Sequence, residues 1–211
     1  MESLACLKAV RAIFCFIYFL YLLQKAVTST LTLKIKVMPN HLSLLGIIHT
    51  VISIVAIIVA IIALFRYGKI NPANGTGKLY ILLTIITCLT GFPIMKTGHP
   101  SAGHALGVII LVILPVAVYA RSIRFFGKGA DYIQIIIMSL TLFFSMIPAT
   151  VETLTRLPID QPVASGPDSP IVKMWLGIWF ALYIAGTLYQ LIKLRKQKKV
   201  TPTPGGSVNL T

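Results

Sequence analysis

LSLLGIIHTVISIVAIIVAIIALF, residues 42–65, carries no charged side chain and no proline. It is long enough to cross a hydrocarbon core, which takes roughly 20 residues of helix. It is not alone. The chain of 211 residues is 56% hydrophobic and 11% charged, with a mean hydropathy of +0.87. The charged share is about half that of soluble domains. A soluble single domain of this size has no means of hiding so much apolar surface, so the stretch reads as a membrane span.

Downstream, "RYGKINPANGTGK" (66–78) has the Gly, Pro and Asn chemistry of a turn. Further apolar runs follow at 79–95, 102–120, 132–151 and 172–192. The run at 79–95 closes on Gly91 and Pro93, and Pro115 marks a kink in the run at 102–120. Trp175 and Trp179 stand near one end of the run at 172–192, as an aromatic belt does. Upstream, residues 12–23 form a shorter apolar run behind Lys8 and Arg11. Its bulky aromatic composition suits a signal anchor, with a cleaved secretory signal as the alternative. Residues 30–37 alternate polar and apolar and read as an extended linker.

The expected fold is all-α: a polytopic transmembrane helical bundle of five to six spans. Residues 1–37 are the anchor or signal-like span with its linker. Residues 38–194 are the membrane domain, and 195–211 a basic, disordered tail.

The net charge of +14 would suggest nucleic acid in a soluble protein. Here the Lys and Arg residues sit in short loops and at chain ends, with no basic face carrying interleaved aromatics. Nucleic acid is excluded as a partner, and the lipid bilayer takes its place. A second membrane protein or a second copy of the chain would be a further partner. The positive-inside rule puts "RYGKINPANGTGK", "RSIRFFGKGAD" (121–131) and the basic tail on the cytoplasmic side of the membrane, with both termini inside. Lys25, Lys34 and Lys36 then fall outside, as do "GHPSAGH" (98–104) and "DQPVASGPDSP" (160–170). The sequons at Asn74 and Asn209 fall inside and read as chance matches. Cys6, Cys15 and Cys88 are few, odd in number and far apart, and read as small core residues.

This topology gathers the chain's four histidines toward the outer side. His49 lies about two turns beyond His41, His99 is in the outer loop, and His104 is in the first turn of the run at 102–120. Glu152 and Arg156 end the run at 132–151 on the same side. His49, His99, His104 and Glu152 are therefore the candidate ligands of one outer site, since a polar group within a span faces the bundle interior or a water-filled cavity. Imidazoles with a carboxylate suit a transition metal such as zinc, iron or copper. A single outer haem held by His49 and His104 is the other cofactor reading. With no histidine near the inner face, the chain alone has no place for a haem on each side. The competing reading makes Gly98, Pro100 and Ser101 a tight turn, with Ser101 capping the next helix. It also makes Glu152 and Arg156 an i,i+4 ion pair.

Small residues at helical spacing mark contact faces. His49, Ser53, Ala56, Ala60 and Ala63 form one, and Thr84, Thr87, Cys88 and Gly91 another. Gly103 with Gly107, and Gly177 with Ala181 and Ala185, form two more. No H-E-x-x-H, P-loop or Gly-x-Ser-x-Gly occurs, so no enzyme is indicated. Ser101 beside His99 and His104 makes no ordered triad, and no inverted repeat points to transport.

The segment from 42 to 160 resembles a bacterial family of small multi-pass integral membrane proteins of unknown function. Its members show a histidine early in the first core helix, Gly-x-x-Tyr opening the next, a Gly/His-rich loop, and a histidine entering the third. Here these are His49, Gly77 with Tyr80, "GHPSAGH" and His104. Many members place a histidine just before Gly-x-x-Tyr, where this chain has "NGTG" (74–77). The resemblance implies a helical membrane protein and no particular activity.

Overall fold

The structure, a computed structural model, describes residues 44–94, 100–157 and 161–200. The expected span at 12–23, the linker at 30–37, His41, His99 and the end of the tail lie outside the described residues. Within them the chain is helical and no strand occurs. Five α-helices follow in order: α1 Leu44–Tyr67, α2 Gly75–Gly91, α3 Ala102–Val118, α4 Ala130–Arg156 and α5 Pro170–Val200.

Local sequence sets the ends of these helices. α1 stops at Gly68, whose φ of 70° is open to glycine and whose N–H returns to the Leu64 carbonyl at 2.8 Å. Asn74, one of the sequon asparagines, caps α2: its side chain accepts from the Gly77 N–H at 2.7 Å. Gly77 is held to glycine by space, because a Cβ there would lie 1.8 Å from the Asn71 carbonyl oxygen. α3 runs through Pro115 and ends a turn later, with the Tyr119 N–H on the Pro115 carbonyl. Two 3-10 turns, Ala120–Ser122 and Arg124–Gly129, lead into α4, which contains Pro148. α5 opens on Pro170, where the missing N–H costs nothing. It continues to Val200, beyond the expected end of order near 194. Its basic residues are good helix formers, and Lys198 is held 2.7 Å from Asp131 of α4.

Each helix packs on the next in sequence, and α4 also reaches α1, so α4 touches α1, α3 and α5. The core joins Ala56, Val59, Ala60 and Ala63 of α1 with Tyr80 of α2, Leu114 and Ala117 of α3 and Met138 of α4. Three of these are the alanines of the expected contact face on α1, and they let α2 approach closely. Tyr80 is fully buried, and its hydroxyl lies 3.0 Å from Thr141 Oγ1 of α4. The expected face on α5 is different: Gly177, Ala181 and Ala185 are exposed, and a Cβ at Gly177 would meet nothing within 4 Å. Among the described residues that stripe faces outward. α5 turns Val172, Thr187, Gln190 and Leu194 inward instead.

α1, α4 with the turn before it, and α5 are long and apolar enough to cross a membrane. α2 and α3 are apolar helices of 17 residues, at the short end of spanning length. Ile47, Val51, Ile54, Ile58 and Ile62 of α1 are exposed, as are Met174, Ile178, Leu182 and Leu188 of α5. An apolar surface this continuous calls for a lipid or protein neighbour. The antiparallel order sets the two ends of the bundle apart in chemistry. One end gathers the start of α1, the end of α2, the start of α3 and the end of α4, and holds His49, His104 and Glu152. The other carries Arg66, Lys69, Arg121, Arg124, Lys193 and Lys198.

Candidate functional site

The end of α2 and the residue after it dock both described histidines, at Thr90 and at Phe92, two residues apart. His49 Nδ1 lies 3.1 Å from Thr90 Oγ1. Thr90 Oγ1 also lies 2.8 Å from the Ile86 carbonyl and 3.1 Å from that of Thr87, both of which only accept. With its one proton on either carbonyl, the Thr90 hydroxyl accepts from His49, which is the arrangement with the imidazole proton on Nδ1 and a lone pair on Nε2. The next residue, Gly91, makes room for the ring, since a Cβ there would lie 3.0 Å from His49 Cε1.

One residue further on, the Phe92 carbonyl lies 3.2 Å from His104 Nε2. His104 Nδ1 accepts from the Ser101 N–H at 3.0 Å. The His104 proton is therefore on Nε2, and both ring nitrogens are engaged. Ser101 is the N-cap of α3, and His104 stands three residues on, where a capping box usually has Glu or Gln. The helix-cap reading of Ser101 thus holds, with the histidine as its reciprocal half. Ser101 Oγ also lies 2.9 Å from His104 Nδ1. That contact has the look of a nucleophile and its base, but the far nitrogen meets a backbone carbonyl where a triad needs a carboxylate.

Glu152 sits at the same end, about half exposed, in the expected ion pair with Arg156. Its charge is within electrostatic reach of His49. The structure thus puts His49 and Glu152 at the same end of the bundle, on α1 and α4, and keeps His104 occupied as a cap. His99 lies outside the described residues. Among the described residues, no three His, Cys, Asp or Glu side chains meet in a cluster that would hold a metal. Among the described residues, His49 is the histidine at this end with a ring nitrogen outside the bonds to Thr90, Ser101 and Phe92, and Glu152 shares that end. A haem held by His49 and His104 together would require the α3 cap to break.

Thr90, Gly91 and Phe92 went unmarked as site residues in the sequence. Gly91 appeared there as the close of a run and a member of a packing face, and a backbone carbonyl such as that of Phe92 leaves no mark on residue type.

Comparison of the chain with protein-family models, curated proteins and solved structures finds no match.

Proposed function

We propose that this chain is a multi-pass membrane protein of the bacterial plasma membrane whose outer end binds a small ligand or a transition-metal ion at His49. The observation that carries this reading is the Thr90 bond, which fixes the His49 ring and leaves Nε2 as a lone-pair donor. Fixing the second nitrogen of an imidazole is how proteins orient a ligating histidine. Glu152 supplies the compensating negative charge, and His99, in the loop joining α2 to α3, is the natural second donor. The polar layer lies at the end opposite the basic loops, which supports an outer placement and cytoplasmic termini. The reading is of a binding protein, since the donor at His49 is what the described residues offer at this end.

The test is elemental analysis and an absorbance spectrum of detergent-purified wild type beside His49→Ala and His104→Ala. A stoichiometric metal or ligand lost in H49A and kept in H104A supports the proposal. A Soret band lost in both variants would establish a single-haem redox protein. Metal content unchanged by H49A would sink the metal reading and leave a structural subunit of a membrane complex, which the exposed small-residue stripe of α5 would suit.

A further inference from the structure

The basic end of the bundle holds a cavity of about 70 Å³ that the histidine site does not explain. It opens between the end of α1 and the last turns of α5, with Ile135 of α4 in its wall. Lys69 and Lys193 both line it, together with Tyr67, Gly68, Gln190 and Gln197. Neither lysine has an acidic partner among the described residues. The acids of this chain segment are spoken for elsewhere: Asp131 pairs with Arg121 and Lys198, Asp168 with Lys173, and Glu152 with Arg156.

Backbone geometry brings one of the lysines in. Gly68 takes its φ of 70° to end α1, and a Cβ there would lie 3.1 Å from Lys193 Nζ. The missing side chain is what lets the ammonium of α5 come up against the end of α1. Gln190 is 8% exposed; its Nε2 donates to Ser139 Oγ and the Gly186 carbonyl, which fixes the amide at the cavity wall. Two cations with no acidic partner among the described residues share one concavity at a helix end, where lipid head groups lie in a spanning bundle. Like charges so placed repel unless an anion sits between them. The volume suits a tetrahedral anion or a few waters, a water taking about 30 Å³ in the liquid. Basic pockets between helix ends are how membrane proteins take anionic head groups.

We infer that the cavity bounded by Lys69 and Lys193 binds a phosphoryl anion, carried by an anionic phospholipid of the adjoining leaflet or free in solution.

The test is native mass spectrometry of the full chain in micelles containing equal phosphatidylglycerol and phosphatidylcholine. Wild type should retain phosphatidylglycerol in preference. Lys69→Gln and Lys193→Gln should each weaken retention about fivefold, and the double variant about 25-fold. Lys193→Arg should keep it, and Lys128→Gln, at the same end but away from the cavity, should leave it unchanged. A parallel arm titrates inorganic phosphate into lipid-free micelles and follows the thermal midpoint. Phosphate that stabilises wild type and not the double variant, without lipid preference, assigns the site to the free anion. Loss of phosphatidylglycerol equal in K128Q and K193Q would show diffuse surface attraction and overturn the inference. So would the absence of preference for either anion.

Discussion

His49 and His104 rest against Thr90 and Phe92, two residues apart at the end of α2, and their partners suit opposite tautomers. The neutral ring of His49 carries its proton on Nδ1 when Thr90 gives its own proton to the Ile86 carbonyl. His104 carries it on Nε2, because Nδ1 accepts from the Ser101 amide. Nitrogen-15 spectra of a ring-labelled His41→Gln/His99→Gln variant, which keeps His49 and His104 as its two histidines, should show one ring in each form when both are neutral. Adding Thr90→Val should free the His49 ring and alter its tautomer signals, with those of His104 unmoved. Two Nε2–H signals in that two-histidine variant would rule out the bonding described.

A histidine in a capping box and a histidine that ligates are separated by glutamine. His104→Gln places an amide where capping boxes accept it, so the helix start should survive. His104→Ala removes the accepting group and should cost about 1 kcal/mol, the usual size of a lost cap. Thermal midpoints in detergent should therefore rank wild type close to H104Q and above H104A. Equal loss in both variants would mean that the imidazole does something a cap does not require.

Gly91 should be a strict position for the site and a lenient one for the fold. An added methyl meets His49 Cε1 at 3.0 Å, and that ring is the far end of a side chain that can swing away. Gly91→Ala should therefore cost little stability while disturbing the His49–Thr90 bond, read as a shift of the His49 nitrogen signals. Gly77 is the reverse case. Its methyl would lie 1.8 Å from the Asn71 carbonyl oxygen, which is backbone. Gly77→Ala should destabilise the turn before α2 severely, with a lowered thermal midpoint and the tautomer signature of His49 intact in whatever remains folded.

These contrasts show what the residues announced and what they concealed. Apolar runs placed the helices, because a span of hydrocarbon thickness has few other uses. The alanine face of α1 was legible for the same reason: small residues at a four-three step let helices meet, and Ala56, Ala60 and Ala63 are buried. The same pattern in α5 pointed outward, since a stripe states only that close approach is possible and not to whom. The common end of His49, His104 and Glu152 followed from topology. Their individual partners did not, because a bond to a backbone carbonyl, as His104 makes to Phe92, is independent of residue type. Gly77 and Tyr80, read as a family likeness, prove to be construction: one permits a tight turn and the other pins α2 to α4.

That pin should be measurable. The Tyr80 hydroxyl bonds Thr141 Oγ1, which itself lies 2.9 Å from the Met138 carbonyl. Tyr80→Phe keeps the ring and loses one interhelical bond, worth about 0.6 kcal/mol on average in membrane bundles. Tyr80→Ala empties a fully buried site and should cost about 3–5 kcal/mol. Unfolding midpoints that fell equally for both would show that the hydroxyl, and not ring packing, holds the helices together.

At the basic end, Asp131 should control a pH-dependent part of stability. Its carboxylate is held by Lys198 at 2.7 Å and by Arg121 at 2.8 Å, just outside the apolar span. The Lys198 bond first, and then Arg121, keep this carboxyl below the usual carboxylate range. A carboxyl lowered in the folded state binds its proton more readily when unfolded. Its contribution is complete above the unfolded value of about 3.9 and is lost as pH falls through the folded value. Asp131→Asn should therefore lower the thermal midpoint by a constant amount between neutral pH and about pH 5, and the gap should close under more acid conditions. The pair members are partly exposed, so the loss should be about 1 kcal/mol or less. Because Lys198 lies beyond the expected end of the last span, the same substitution should also loosen the final turns of α5, read as faster amide exchange after residue 194. A gap that widened toward acid pH would contradict the assignment of Asp131 as the charged partner.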